Sequence, residues 1–240
     1  MSELVVIPLD RSYAVTSAQR RAAFAASWFD RPFLEARGAR RHTSTGRAPV
    51  LICETETETW VLRHYSRGGL VARFIEDHYL WRGLKRTRAF RELEILTRMR
   101  AWQLPAPEPV AAWVARSGLV YQADIITVYI PHTRALSALL RGESVPESLW
   151  RRIGKMLGEF HCFGVDHPDI TAHNILVDAQ MRTFLVDFDN AVIRPRGRWQ
   201  RRGIARFERS LRKVAMETGT EFSPMQWRSV VAAYESVVSR

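Results

Sequence analysis

Lysine is scarce in this chain of 240 residues: Lys85, Lys155 and Lys213 stand against 33 arginines. Cysteine is scarcer still. Cys53 and Cys162 form no C-x-x-C pair, which excludes a disulfide framework and a cysteine-based metal site and fits a reducing compartment. No apolar run approaches the roughly 20 residues a membrane-spanning helix needs. The opening Met1-Ser2-Glu3-Leu4-Val5-Val6-Ile7-Pro8-Leu9-Asp10 lacks the basic start and long apolar stretch of a secretory signal, so a cytoplasmic protein is expected. Internal repeats and low-complexity tails are also missing.

Positive charge is abundant instead. A formal net charge of +11 at pH 7 calls for anionic partners. Phosphorylated sugars, an acidic lipid surface and nucleic acid all qualify, and charge alone does not choose among them. A hydrophobic share of 46% supplies a core for one large domain or for two small lobes around one cleft.

The most informative stretch is His167-Pro168-Asp169-Ile170-Thr171-Ala172-His173-Asn174, followed by Phe184-Leu185-Val186-Asp187-Phe188-Asp189. A His-x-Asp-x-x-x-x-Asn run, then a short apolar strand delivering an Asp, is the pattern of the protein-kinase-like catalytic loop and metal-binding turn. Asn174 and Asp187 lie 13 positions apart. That leaves room for a hairpin of Asn174 to Val177, a turn at Asp178-Ala179-Gln180, and Thr183 to Val186, which brings both oxygen ligands to one edge. Phosphoryl transfer asks the protein to position an acceptor hydroxyl and to neutralise charge on phosphate oxygens. Asp169 would accept or orient the hydroxyl proton, Asn174 and Asp187 would supply hard oxygen donors for Mg²⁺, and His167 would brace the loop from behind.

Along the rest of the chain, Leu4 to Leu9 reads as extended and Ser17 to Trp28 as helical, since Ala22, Ala23, Ala25 and Ala26 favour helix. Strands follow from about Phe33 to Tyr65, notably Val50 to Cys53 and Trp60 to Tyr65. The loop at 40–47, with a single Gly46 in place of a G-x-G-x-x-G run, is in the place of a phosphate-covering loop. Trp60-Val61-Leu62-Arg63 occupies the position where a V-A-I-K strand presents its lysine. Arg63 is thus the residue in register to pair phosphates, with a fork that can grip two oxygens. Its ion-pair partner is expected on the helix Thr87 to Arg100, where Glu92 is preferred over Glu94. The intervening segments around Arg67 to Leu70 and Asp77 to Gly83 are dense in arginine and aromatics and look built for recognition. Pro105, Pro107 and Pro109 break the chain before a hairpin of Val110 to Val114 and Leu119 to Thr127, turning at Ser117-Gly118. Val128-Tyr129-Ile130-Pro131 reads as a hinge. Helices are expected at Arg134 to Arg141, at Pro146 to Phe163 and, after an arginine run from Arg194 to Arg202, at Ile204 to Thr218 and Pro224 to Val238. The expected class is α+β, a two-lobed protein-kinase-like fold with a β-rich nucleotide-binding lobe at 1–128 and a small helical catalytic lobe at 129–240.

Taken together, Arg63-His64-Tyr65-Ser66-Arg67-Gly68-Gly69-Leu70, Tyr79-Leu80, Arg86 to Glu92, Ala123 to Thr127, the catalytic stretch, Asp187-Phe188-Asp189 and Arg209-Ser210-Leu211-Arg212-Lys213 resemble the 3-deoxy-D-manno-octulosonic acid (Kdo) kinase family of lipopolysaccharide inner-core synthesis. The resemblance implies an enzyme that uses ATP and Mg²⁺ to phosphorylate the 4-OH of Kdo on a lipid A precursor at the cytoplasmic face of the bacterial inner membrane. The family's H-x-D-L-N-x-H-N becomes His-Pro-Asp-Ile-Thr-Ala-His-Asn here, so Ile170 and Thr171 depart from it. Only 51 residues follow Asp189, with no Ala-Pro-Glu element, and Asp189 replaces the glycine of Asp-Phe-Gly. Both features favour a small or sugar acceptor over a protein. Without a spanning helix such an enzyme would be peripheral, and Arg67, Arg82, Arg86, Arg88 and the Arg194 to Arg202 run are the candidate contacts to substrate or anionic membrane. A heptose or other small-molecule kinase is the alternative enzyme; an arginine-rich nucleic-acid binder on a kinase-like scaffold is the alternative without catalysis. A pure binder has no need of Asp169, Asn174 and Asp187 together, so no nucleic-acid partner is expected.

Overall fold

The computed structural model describes residues 3–43, 49–66, 77–142 and 145–239. The chain divides into two compact units, Met1–Ala101 with Pro107–Tyr129, and Trp102–Ala106 with Ile130–Arg240. Trp102–Ala106, which the sequence reading left in the first lobe, groups with the second for plain packing reasons. Trp102 stacks on Phe163 with ring centroids 4.9 Å apart, Leu104 is buried, and Pro105 O accepts from Leu185 N at 2.9 Å.

In the first unit β1 (Leu4–Leu9), β2 (Ser12–Ser17), β3 (Arg40–His42), β4 (Val50–Glu54), β5 (Thr59–His64), β6 (Tyr79–Leu80), β7 (Pro109–Ser117) and β8 (Val120–Val128) form one antiparallel sheet. Its order is β1-β2-β7-β8-β5-β4-β3, and β6 adds to the far end of β8. The β7–β8 turn holds Gly118 at φ +60°, a left-handed backbone that glycine enters without a Cβ penalty. Alternation along β5 sends Trp60 and Leu62 to one face and Arg63 to the other. Trp60 and Leu62 join Leu51, Cys53, Val110, Ala111 and Ile126 in a buried cluster covered by Trp28, Phe29 and Leu34. Trp28 and Phe29 belong to a short 3₁₀ turn, Ala26–Phe29, which follows another at Arg21–Ala23, and Leu34 belongs to α1 (Arg31–Ala36).

The helix expected at Ser17 to Trp28 is therefore not formed, and the short helix near Phe33 replaces an expected strand. The reason is tertiary. Ala14, Val15 and Thr16 are wholly buried as β2 pairs with both β1 and β7, so alanine's weak helix preference downstream is overridden by the need to lay aromatics over the sheet. Asp30 starts α1 by accepting from Phe33 N at 3.1 Å. Arg31 then ties α1 to β8 through the buried Asp124 carboxylate at 2.9 Å. Against β7 and β8 lies α2 (Arg88–Ala101). It buries Phe90, Leu93, Ile95, Leu96 and Met99, and with them one charged residue, Glu92. Each large apolar side chain so buried stabilises by about 1.5–3 kcal/mol.

The second unit runs β9 (Thr133–Ala135), α3 (Leu136–Leu139), α4 (Glu147–Cys162), β10 (Val165–Asp166), β11 (Ile175–Asp178), β12 (Thr183–Leu185), β13 (Val192–Ile193), α5 (Arg198–Thr218) and α6 (Pro224–Val238). The helix expected at Arg134 to Arg141 shrinks to one turn because Thr133–Ala135 is drawn into a small sheet of order β12-β11-β9. Conversely, α5 starts six residues before Ile204. Trp199 is its first buried side chain and anchors the start by donating Nε1–H to Pro195 O at 2.7 Å. Arg198, Arg201 and Arg202 are thus exposed residues of a helix rather than of a connector. Helices α4 and α6 approach closely through Gly154 and Gly158.

Candidate active site

The His167–Asn174 loop joins β10 to β11, and its order comes from one buried histidine. His167 Nδ1 accepts the Asp169 N–H at 3.1 Å, while Nε2 lies 3.2 Å from Val186 O. A carbonyl can only accept, so Nε2 carries the proton and the ring is neutral. Burial pushes the His167 pKa below its ordinary value, partly offset by the charge of Asp187. The ring stands edge-on to Phe188 at 5.0 Å, and Phe188 in turn packs on Phe160. Phe188 is fully buried, which anchors the chain between the two aspartates. One side chain thus bonds the His167–Asn174 loop and the strand that leads to Asp187.

Asn174 closes the loop. Its Nδ2 donates to both Asp169 O and Asp169 Oδ2 at 2.9 Å. Its own carbonyl accepts from Val186 N at 2.9 Å, extending the β11–β12 ladder by one pair beyond Ile175 and Leu185. Asn174 therefore sits opposite Val186, one residue from Asp187. The turn of this hairpin is stapled by Asp178, whose Oδ1 accepts from Gln180 N and Arg182 N at 2.9 and 2.8 Å. At Asp187 the backbone turns left-handed, with φ +69°, and leaves the line of β12. A non-glycine residue held there costs of order 1–3 kcal/mol, and such strain gathers at functional sites. Asp169 itself is exposed. Nδ2 of Asn174 is committed to Asp169, so the oxygen donors that a cation would meet are the Asn174 amide oxygen and the Asp187 carboxylate. That donor set suits Mg²⁺, which takes one or two protein oxygens together with substrate phosphates.

In the first unit, Arg63 and Glu92 meet. One guanidinium nitrogen of Arg63 lies 2.6 Å from each Glu92 oxygen, and the Tyr65 hydroxyl donates to the same carboxylate at 2.5 Å. Glu94 instead pairs with Arg98 on the helix surface at 3.3 Å. Glu92 is buried, and such a carboxylate persists only when charge and hydrogen bonds compensate its desolvation. Tyr65 is the second compensating group, and burial, reinforced by the Glu92 charge, holds its phenol protonated as a donor. The Arg63 side chain keeps 24% exposure. Arg88 is drawn inward: its guanidinium lies over the rings of Tyr65 and Tyr79 at 5.3 and 4.8 Å and bonds the Tyr79 hydroxyl. It is packed into aromatics, unlike Arg82 and Arg86, which are exposed. Arg67 and the Gly46 loop lie outside the described residues. Sequence reasoning missed Tyr65, although its place two residues after Arg63 on one strand face was a usable signal. It also missed Ser210, whose hydroxyl accepts from Ala172 N at 3.0 Å; no local pattern joins residues 38 apart.

A second buried histidine, His161, is pushed down to about 4, chiefly by burial. An unfolded histidine titrates near 6.5, so below that pH the unfolded chain takes up protons that folded His161 and His167 refuse. Stability from both is present above pH 6.5 and is lost as pH falls toward 4. For His161 the loss amounts to about 3 kcal/mol. His64 works the other way, since its hydrogen bond to Asp124 raises its pKa and its contribution fades as pH rises. We expect melting temperature to fall from pH 6.5 to 4, and the slope to flatten in His161→Gln. Parallel curves for the two proteins would show that the His161 environment is misjudged.

A family model, the lipopolysaccharide kinase (Kdo/WaaP) family, matches residues 33–234. Among curated proteins, the "3-deoxy-D-manno-octulosonic acid kinase" of Stenotrophomonas maltophilia is 39% identical over 198 residues, covering 81% of this chain and 78% of the relative. The protein of that name from Xanthomonas oryzae is 37% identical over 212 residues, 87% of this chain and 81% of the relative. Its counterpart in Vibrio vulnificus is 32% identical over 208 residues, 87% and 88%. The chain belongs to the lipopolysaccharide kinase (Kdo/WaaP) family and is a phosphotransferase acting on a hydroxyl group.

Proposed function

We propose that the protein uses ATP to phosphorylate a hydroxyl of Kdo, its 4-OH, on a lipid A precursor during inner-core lipopolysaccharide synthesis. The observation that carries this reading is the network in which His167 and Asn174 hold Asp169 beside the strand leading to Asp187, in a chain whose relatives bear the name Kdo kinase. Asp169 takes or orients the acceptor hydroxyl proton as the new oxygen–phosphorus bond forms and the bond to the ADP oxygen breaks. Asn174 keeps the Asp169 carboxylate turned to that hydroxyl. The Asn174 amide oxygen and the Asp187 carboxylate would hold Mg²⁺, which when bound neutralises charge on the phosphate oxygens. Arg63, aimed by Glu92 and Tyr65, would grip donor phosphate with its fork.

A lipid-borne acceptor stays in its bilayer, and among the described residues no helix is long and apolar enough to cross one. We place the enzyme at the cytoplasmic face of the inner membrane as a peripheral protein. Exposed arginines such as Arg82, Arg86, Arg198, Arg201 and Arg202 would each contribute about 1 kcal/mol near anionic lipid, screened within roughly a Debye length. The test is phosphate transfer from labelled ATP to Kdo-lipid A in anionic vesicles, to a heptosyl acceptor and to a generic protein. Transfer to the Kdo acceptor, with vesicle binding at low salt that releases as salt rises, is expected. Preferential transfer to the heptosyl acceptor would replace the sugar assignment, and salt-sensitive binding to RNA or DNA without vesicle binding would overturn the location.

A further inference from the structure

We propose that Ser210 on α5 is a positioning residue for phosphoryl transfer: its hydroxyl holds the catalytic loop at Ala172 and so fixes where Asp169 sits. This rests on the reading of Asp169 given above.

Ala172 is wholly buried at the middle of the loop, three residues after Asp169 and two before Asn174. Its peptide groups are gripped from two sides. The N–H donates to Ser210 Oγ at 3.0 Å, and the C=O accepts from Ser137 N, at the start of α3, at 2.9 Å. Two residues earlier, the buried Ile170 lies against α5 at Gly203, where an added Cβ would stand 3.3 Å from Ile170 Cδ1 and 3.4 Å from His161 Nε2. Helix α5 is therefore the backing of the loop: Gly203 lets it approach, Phe207 and Leu211 are fully buried, and Ser210 supplies the hydrogen-bonding group at that contact.

Asp169 is exposed and cannot be located by packing of its own side chain. Its position is set by the loop backbone, by the hydrogen bond its N–H donates to His167 and by those it accepts from Asn174. A buried amide left without a partner is costly, so a loop deprived of the Ser210 hydroxyl will shift to find one. Near a reacting centre a displacement of ~1 Å can cost as much as 10²-fold in rate. Alanine would suit the middle of a helix better than serine by helix propensity, so the hydroxyl is present at some cost to α5.

The experiment compares wild type, Ser210→Ala and Ser210→Thr as full-length proteins. Ser210→Ala should lower kcat by about tenfold, within the range expected for loop misplacement, with KM for ATP and melting temperature close to wild type. Ser210→Thr, which keeps the oxygen, should recover most of the rate. Hydrogen exchange at the Ala172 amide reads the bond without any acceptor, and should be clearly faster in Ser210→Ala than in Ser210→Thr. Wild-type kcat in Ser210→Ala would overturn the proposal, as would a loss that follows melting temperature and is not recovered by threonine. If wild type transfers phosphate to no acceptor, the exchange result still decides whether Ser210 holds the loop, and the functional reading fails separately.

Discussion

Asp169→Ala and Asp187→Ala proteins will fold and lose about 10²-fold or more of their turnover, the scale expected when an acid–base group or a charge-neutralising ligand is removed. Asp169 lies at the exposed end of a network anchored by His167 and Asn174, so truncating it empties no core space. Asp187 calls for a finer control, because alanine is less at ease than aspartate in the left-handed backbone found there, φ +69°. Asp187→Asn tolerates that conformation and keeps the side-chain shape while removing the charge. It should be nearly as inactive as Asp187→Ala and closer to wild type in melting temperature. Phosphate transfer within a few-fold of wild type in Asp169→Ala or Asp187→Asn would move the reaction away from this loop.

A single methyl group on Gly154 will destabilise the second unit by about 3 kcal/mol or more, at the upper end of what overpacking costs. Helix propensity alone argues the reverse, since alanine is favoured over glycine by roughly 1 kcal/mol in a helix interior. Geometry decides against propensity here. A Cβ at position 154 would stand 2.2 Å from Val230 O and 3.0 Å from Ala233 Cβ, and the first of these is helix backbone that cannot swing aside. Helix α6 would have to move off α4, breaking the close approach made at Gly154 and Gly158. Gly158→Ala should be milder, because its nearest obstacle is the Val237 Cβ at 2.8 Å, a side-chain atom near the helix end. Thermal melts would report a fall of roughly 6 °C or more for Gly154→Ala; an unchanged or higher midpoint would mean that the helices are not packed this closely.

The parts of the fold legible in the sequence are those whose periodicity is strong and whose neighbours are local. Trp60, Leu62 and the alternating residues of β7 and β8 announce strands, and Leu149, Ile153, Leu157 and Phe160 announce α4. The hairpin carrying Asn174 and Asp187 was readable because its spacing and its turn residues agree. The N-terminal segment was misread since alanine content speaks only to helix propensity, whereas Ala14 and Val15 are fixed between the neighbouring β1 and β7, a strand more than 90 residues away. The start of α5 was missed because Arg198 to Arg202 shows no apolar period; Trp199 is its single early anchor. Ser210 was obscure because its role is defined by a bond to a distant residue, Ala172, whereas Tyr65 shares a strand face with Arg63 and only its bond to Glu92 is distant.

Arginine at position 63 also decides which chemical probes can see this enzyme. Nucleotide analogues that carry an acylating or sulfonylating group toward the phosphates work by capturing a neutral amine, normally the lysine of the phosphate-binding strand. Here that position presents a guanidinium, which stays protonated and leaves no free nucleophile at neutral pH. The three lysines of the chain, Lys85, Lys155 and Lys213, are all solvent-exposed, and none is among the groups proposed to handle phosphate. A survey of active kinases by lysine capture will therefore pass over this protein even when it is abundant and working. A dicarbonyl reagent selective for arginine, with ATP as the protecting ligand, is the chemistry that would register it.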